Sequence, residues 1–132
     1  MALIMMDIDK FKNYNDKYGH EQGNWVLKNI AAIIAENVRE MDLVARYGGD
    51  EFAVILPHTD AEGTRVIADR ILKKINKLKL KGDARHPAVY VTLSAGCAIL
   101  DGRKPAKSNA LFKKADRNLL RAKRRGRNKI VF

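Results

Sequence analysis

Asp50 and Glu51 stand side by side in RYGGDEFAVIL, residues 46–56, directly after two glycines and directly before an apolar run. Gly48 and Gly49 read as the tight turn of a β-hairpin. Phe52, Val54 and Leu56 alternate with Ala53 and Ile55 as in a strand with one buried face. A hairpin needs no pair of carboxylates at its tip. A third acid, Asp7, ends another apolar run, ALIMMDI, residues 2–8. Carboxylates at the margin of a core repel one another, and a divalent cation removes that cost. Mg²⁺ takes one or two carboxylates together with phosphate oxygens and water. The alternative for the hairpin is a solvated acidic turn.

Whether these acids meet depends on the elements that carry them. The run 2–8 reads as a buried strand with Asp7 at its C-terminal end. DKFKNYNDKYGH, residues 9–20, reads as a short helix or turn. Residues 21–38 are expected to be helical, with Val26, Leu27, Ile30, Ile34 and Val38 inward. Residues 42–47 and 51–56 form the hairpin arms. Thr59 and Glu62 read as a capping box, followed by a helix to about Leu78 with Val66, Ile67, Ile71, Ile75 and Leu78 inward. KLKLKGDARHP, residues 77–87, reads as a basic loop, and residues 88–100 as one long strand. Ser108 is expected to cap a last helix that Gly126 ends, and KIVF closes the chain as an edge strand. The order β-α-β-β-α-β-α-β begins as the split βαβ, or ferredoxin-like, arrangement. The expected class is therefore α+β, a mainly antiparallel central sheet flanked by helices. In that topology the end of the first strand lies beside the hairpin tip, so Asp7, Asp50 and Glu51 converge. Two metal ions there could activate an attacking hydroxyl and stabilise a leaving pyrophosphate.

The charge distribution agrees with such a site. The 132 residues suit one domain and carry net charge +11, yet residues 1–60 are net −4 and residues 61–132 net +15. Carboxylates for a cation in one half and Lys/Arg for phosphates in the other is one reading; a nucleic-acid surface or plain solubility is the other. A single cysteine, Cys97, excludes an intrachain disulfide and a zinc site built of cysteines, and fits a reducing compartment. No apolar run approaches the ~18 residues of a membrane span. MALIMMDID lacks the basic start and cleavage pattern of a signal peptide. A strand that begins at once suggests a domain excised from a longer protein.

Three segments together resemble one family. GGDEF, residues 48–52, is the signature of the diguanylate cyclase (GGDEF) family; DIDKFKNYNDKYGHEQGN, residues 7–24, resembles its first motif, and ADRNLLRAKRRGRN, residues 115–128, its third. The resemblance implies a polymerase-like palm that condenses two GTP into cyclic di-GMP with release of pyrophosphate. It implies Mg²⁺, with Mn²⁺ as an alternative, held by Asp7, the carbonyl of Ile8, Asp50 and Glu51. Asp50 is the candidate for helping to deprotonate the 3′-hydroxyl. Gly48 and Gly49 would let the backbone approach the nucleotide. Lys12, Lys123 and Arg127 are implied as phosphate ligands, and Asn15 and Asn24 as guanine readers. Arg39 and Asp42 form the R-x-x-D of an inhibitory product site, with Arg70 as a further ligand. The implied partners are GTP, cyclic di-GMP, a transient homodimer and an upstream regulatory domain, with no nucleic acid and no direct membrane contact; the implied location is the cytoplasm, even where a parent protein is membrane-anchored.

Asp9 reads as structural support, and His20, Tyr14 and Trp25 as packing or turn residues. Three departures stand out. The family's leading D-x-L-T-G-L-x-N-R stretch does not precede Met1. Asn24 replaces the usual Asp. Leu120 stands where Tyr is common, a packing swap by expectation. Two alternatives to an active cyclase are a GGDEF module that only binds cyclic di-GMP or GTP, and a basic, polymerase-like nucleic-acid domain.

Overall fold

The computed structural model describes residues 1–80, 89–100, 102 and 108–132; most of the expected basic loop and the side chain of Ser108 lie outside this set. The chain runs β1 (Ala2–Ile8), α1 (Phe11–Tyr18), α2 (His20–Glu36), β2 (Leu43–Arg46), β3 (Glu51–Leu56), α3 (Ala61–Asn76), β4 (Lys79–Leu80), β5 (Val89–Tyr90), β6 (Leu93–Ile99), α4 (Ser108–Arg124) and β7 (Ile130–Val131). A five-stranded sheet has the order β2-β3-β1-β6-β7, and β4 and β5 pair separately. All pairings are antiparallel except β6 with β7. The α+β class and the ferredoxin-like core order therefore hold, with two helices rather than one between β1 and β2.

β1 is central, and every one of its residues is buried. Its alternate residues feed two cores. Ala2, Ile4, Met6 and Ile8 meet α2, α3, Phe52, Val54 and Leu56 on one face. Leu3 and Met5 meet Ala115 and Leu119 of α4 on the other. β3 has one buried face, so its alternation was visible in sequence. Cys97 lies in the core, where burial pushes its thiol up to about 12, out of the reactive range.

Four expectations need correction. Asp60, not Thr59, caps α3: its carboxylate accepts from Gly63 N–H at 2.8 Å, whereas the Thr59 hydroxyl donates back to Pro57 O. Val66 is 57% exposed, because the buried stripe of α3 runs through Thr64, Ile67, Ala68, Ile71, Leu72 and Ile75. The expected strand 88–100 is two strands, since β5 pairs with β4 and β6 with β1. Leu120 is 46% exposed, so it does not replace a core aromatic.

Candidate active site

Strand pairing places the acids. Asp7 sits directly opposite Glu51 in the β1–β3 register, and the Ile8 N–H donates to Asp50 O at 3.2 Å. The backbone thus brings Asp7, Asp50 and Glu51 to one end of the sheet, as the ferredoxin-like topology required. Asp7 is buried, and Lys123 of α4 reaches its Oδ2 at 2.7 Å. Burial is the largest influence on the Asp7 carboxyl and lifts it above the ordinary aspartate range. The hydrogen bond and charge of Lys123 pull it back, while the charges of Asp50 and Glu51 push it up.

The donors available to a cation are hard oxygens, which suit Mg²⁺ or Mn²⁺. Lys123 already shows that a cation is favoured at Asp7 Oδ2. Among the described residues, no three His, Cys, Asp or Glu side chains converge closely enough to hold a metal unaided. An ion here would complete its shell from phosphate oxygens and water, the usual arrangement for nucleotide-bound Mg²⁺.

The hairpin tip is organised by a residue that the sequence reading passed over. Arg46 Nε donates to Gly48 O at 3.1 Å and Gly49 O at 3.2 Å, and its Nη2 donates to Gly49 O at 2.7 Å. Neither glycine has a positive φ, so the tip is not a two-glycine left-handed turn. A Cβ on Gly48 would come within 2.9 Å of Glu51 Oε2, while one on Gly49 would meet nothing within 4 Å. Gly49 is therefore unconstrained by the fold itself and leaves open space over the tip.

Asn15 packs against the residue that precedes Asn24. Asn15 on α1 presses its amide against Gly23 of α2, where an added Cβ would lie 1.8 Å from Asn15 Oδ1. That oxygen is buried and makes no hydrogen bond. Asn24 follows Gly23 and, with Arg46, Val44 and Phe52, lines a cavity of about 460 Å³ between α2 and the hairpin. Gly23 was the visible signal, an isolated glycine inside a helical pattern.

The basic residues divide. Lys123 joins the carboxylates. Lys12 is exposed on α1 and lines none of the cavities described here. Arg127 lines a separate cavity of about 470 Å³ with Lys10, Lys17 and Asn128. Lys10, Arg127 and Asn128 all have left-handed backbones, with φ of 56°, 61° and 47°. Such conformations cost energy and gather at ligand-holding sites. Gly126 ends α4, so Lys123 and Arg127 do not share a helical face. Asp9 ties this loop to the sheet: it accepts from Thr92 and Ser94 hydroxyls at 2.6 Å each and from Asn128 N–H at 3.0 Å. Its two oxygens are thereby occupied, in keeping with a structural role.

Arg39 and Arg70 line one cavity of about 730 Å³ between the end of α2 and α3. Arg70 Nη2 also donates to Asn37 O at 2.6 Å. Asp42 is not part of that lining. Its Oδ2 accepts from the Arg39 N–H at 2.7 Å and closes a turn, which leaves Oδ1 buried without a partner.

Comparisons with known proteins bear on this arrangement. A family model described as diguanylate cyclase, GGDEF domain, matches residues 1–129. The chain is 38% identical over 130 residues to diguanylate cyclase DosC of Escherichia coli, covering 98% of this chain and 28% of that protein. It is 37% identical over 131 residues to the response regulator PleD of Caulobacter vibrioides, covering 99% of this chain and 29% of that protein. The GGDEF domain of DgcB from Caulobacter crescentus, solved in complex with c-di-GMP, superposes with a TM-score of 0.91 at 30% identity, covering 98% of this chain and 75% of that one. Diguanylate cyclase SiaD of Pseudomonas aeruginosa, solved with its activator SiaC, gives 0.90 at 36% identity over 99% of this chain and 49% of that one. The chain spans less than a third of the length of these two curated relatives. With the signature acids, the first and third motifs and the sheet order all in register, the chain belongs to the diguanylate cyclase GGDEF-domain family.

Proposed function

We propose that this domain condenses two GTP molecules into cyclic di-GMP and releases pyrophosphate. The observation that carries this reading is the β1–β3 register, which sets Asp7 opposite Glu51 with Asp50 bonded to the next residue. Asp7, the carbonyl of Ile8, Asp50 and Glu51 would hold Mg²⁺, or Mn²⁺, whose chemistry there would be to polarise the reacting phosphate and to lower the pKa of the 3′-hydroxyl. Asp50 stands ready to take that proton. The open space over Gly49 lets the chain's own backbone approach the nucleotide closely, and Lys12, Lys123 and Arg127 supply charge for its phosphates. Lys10 and Lys17 extend the basic lining beside Arg127.

One palm holds one GTP, yet the product needs two attacks, so two domains must face each other. The test is conversion of GTP with Mg²⁺, resolved by chromatography over a range of protein concentrations. We expect cyclic di-GMP at a rate that rises faster than linearly with protein. Tight GTP or cyclic di-GMP binding without any turnover would indicate a sensor instead. Among the described residues no helix is long and apolar enough to cross a membrane. The substrate places the proposed reaction in the cytoplasm, where GTP is held.

Asn24 should loosen base selection. An Asp there offers two acceptors to guanine N1–H and N2–H₂, whereas Asn offers one acceptor and one donor. The loss of one buried bond costs about 1–3 kcal/mol. Asn24→Asp is expected to raise the kcat/KM ratio of GTP over ATP by about tenfold or more. An unchanged ratio would leave Asn24 as an exposed residue of α2 that does not read the base.

The cavity shared by Arg39 and Arg70 suits the guanine edge and phosphates of the product. Arg39→Ala should raise the concentration of cyclic di-GMP needed for half-inhibition by about tenfold, the loss of a charge-assisted contact. Inhibition curves that superimpose for variant and parent would remove this site.

A further inference from the structure

The Lys123–Asp7 pair bears on how metal reaches the site, given the metal-dependent reading above. The backbone of Asp7 is held between Glu51 on β3 and Ser94 on β6 in the centre of the sheet, and its short side chain is buried. Lys123 has more freedom. It lies in the last turn of α4 with its side chain 31% exposed, against 10% for Asp7, and four flexible methylenes carry its ammonium. The ammonium sits 2.7 Å from Oδ2, one of the oxygens a divalent ion would need. A dication on that carboxylate would place two and one positive charges within about 5 Å of each other. Both cannot remain.

We infer that Lys123 is a displaceable counter-cation, which keeps free divalent metal off Asp7 until the phosphates of a nucleotide take the ammonium in its place. The exchange conserves charge pairing. Before it, one carboxylate is matched by one ammonium. After it, the carboxylate holds the dication and the ammonium faces phosphate in an equally charge-assisted bond. Metal and nucleotide then bind as a unit, and the nucleotide-free protein discriminates against the metal alone.

The test needs no turnover. Free Mn²⁺ is titrated by electron paramagnetic resonance into the nucleotide-free chain, for the parent, Lys123→Met, Lys123→Arg and Asp7→Asn. Lys123→Met should bind Mn²⁺ about tenfold more tightly than the parent, because the competing cation is gone while the apolar stem remains. Lys123→Arg keeps the charge and should behave as the parent. Asp7→Asn should abolish the tight site, which identifies it. Circular dichroism confirms folding, and Lys123→Gln replaces Lys123→Met if that variant is unfolded. Equal or weaker binding in Lys123→Met, including no detectable binding in either protein, overturns the inference; so does an equal gain in Lys123→Arg. A chain that makes no cyclic di-GMP yet gains Mn²⁺ affinity in Lys123→Met would retain the competition and lose the cyclase reading.

Discussion

Asp7→Asn and Asp50→Ala are each expected to lower cyclic di-GMP formation by about a thousandfold, while the folded structure stays at least as stable as the parent. The activity loss follows from removing a carboxylate that would hold the cation, which in turn would stabilise the charge of the reacting phosphates. The retained stability follows from the contacts. The hairpin is joined to β1 through backbone groups, with Asp50 contributing its carbonyl and not its carboxylate. Asp7 is a buried acid whose carboxyl is raised above its ordinary value of 3.8, chiefly by burial. A raised folded value means that the protonated form suits the fold. Its stabilising contribution is complete below the unfolded value and is lost as pH rises through the folded one. At neutral pH the ionised Asp7 is therefore a burden in metal-free buffer, and Asp7→Asn should melt at the same or a higher temperature. That advantage should shrink as pH falls toward 3.8. Melting curves with chelator across this range, beside the turnover assay, check both halves. Wild-type turnover in either variant would remove the metal assignment, and a lower melting temperature for Asp7→Asn at neutral pH would reverse the electrostatic argument.

Among the described glycines, Gly96 is the one where an added methyl group should be most damaging. A Cβ there would lie 2.0 Å from Leu119 N, 2.2 Å from Ala115 O and 2.7 Å from the Asn118 carbonyl carbon. All three are backbone atoms of α4 and cannot rotate away. The helix lies this close because β6 offers no side chain at that point, and Asn118 uses the proximity to donate to Cys97 O at 2.8 Å. Overpacking of this kind costs about 3 kcal/mol or more, a fall of roughly 10 °C in a domain of this size. The damage should spread to the site, since α4 carries Lys123 to Asp7. Gly102→Ala is the control, because a Cβ there meets nothing within 4 Å. Thermal unfolding of the two variants makes the comparison, and a Gly96→Ala melt within 2 °C of the control, well below the expected fall of roughly 10 °C, would contradict the close seating of α4 on β6.

The elements legible in the sequence were those that write their burial into a local period. β1 reads as an unbroken apolar run because both its faces are covered, and β3 alternates because one face is. α2 and α3 show helical spacing for the same reason, though Val66, one residue off the buried stripe, was misassigned. The acids were legible as chemistry because nothing in a hairpin or a strand end calls for them. Their meeting was legible too, through the order of the elements.

What the tertiary structure decided is of another kind. The break between β5 and β6 depends on which strand each finds as a partner, and Val91 and Thr92 carry no turn signal. The cap of α3 depends on whether Thr59 or Asp60 reaches Gly63 N–H, a choice between adjacent residues of similar chemistry. The grip of Arg46 on the hairpin carbonyls, the seat of Asn15 against Gly23 and the separate cavity of Arg127 depend on side-chain direction, which no period encodes. The pairing of Lys123 with Asp7 is the furthest from the sequence. Types and motifs named both residues, but one as a metal ligand and the other as a phosphate ligand. Only the close packing of α4 on Gly96 brings the ammonium to the carboxylate, because residue types set what a group can bind, while the distance between chain-remote groups is set by how the layers pack.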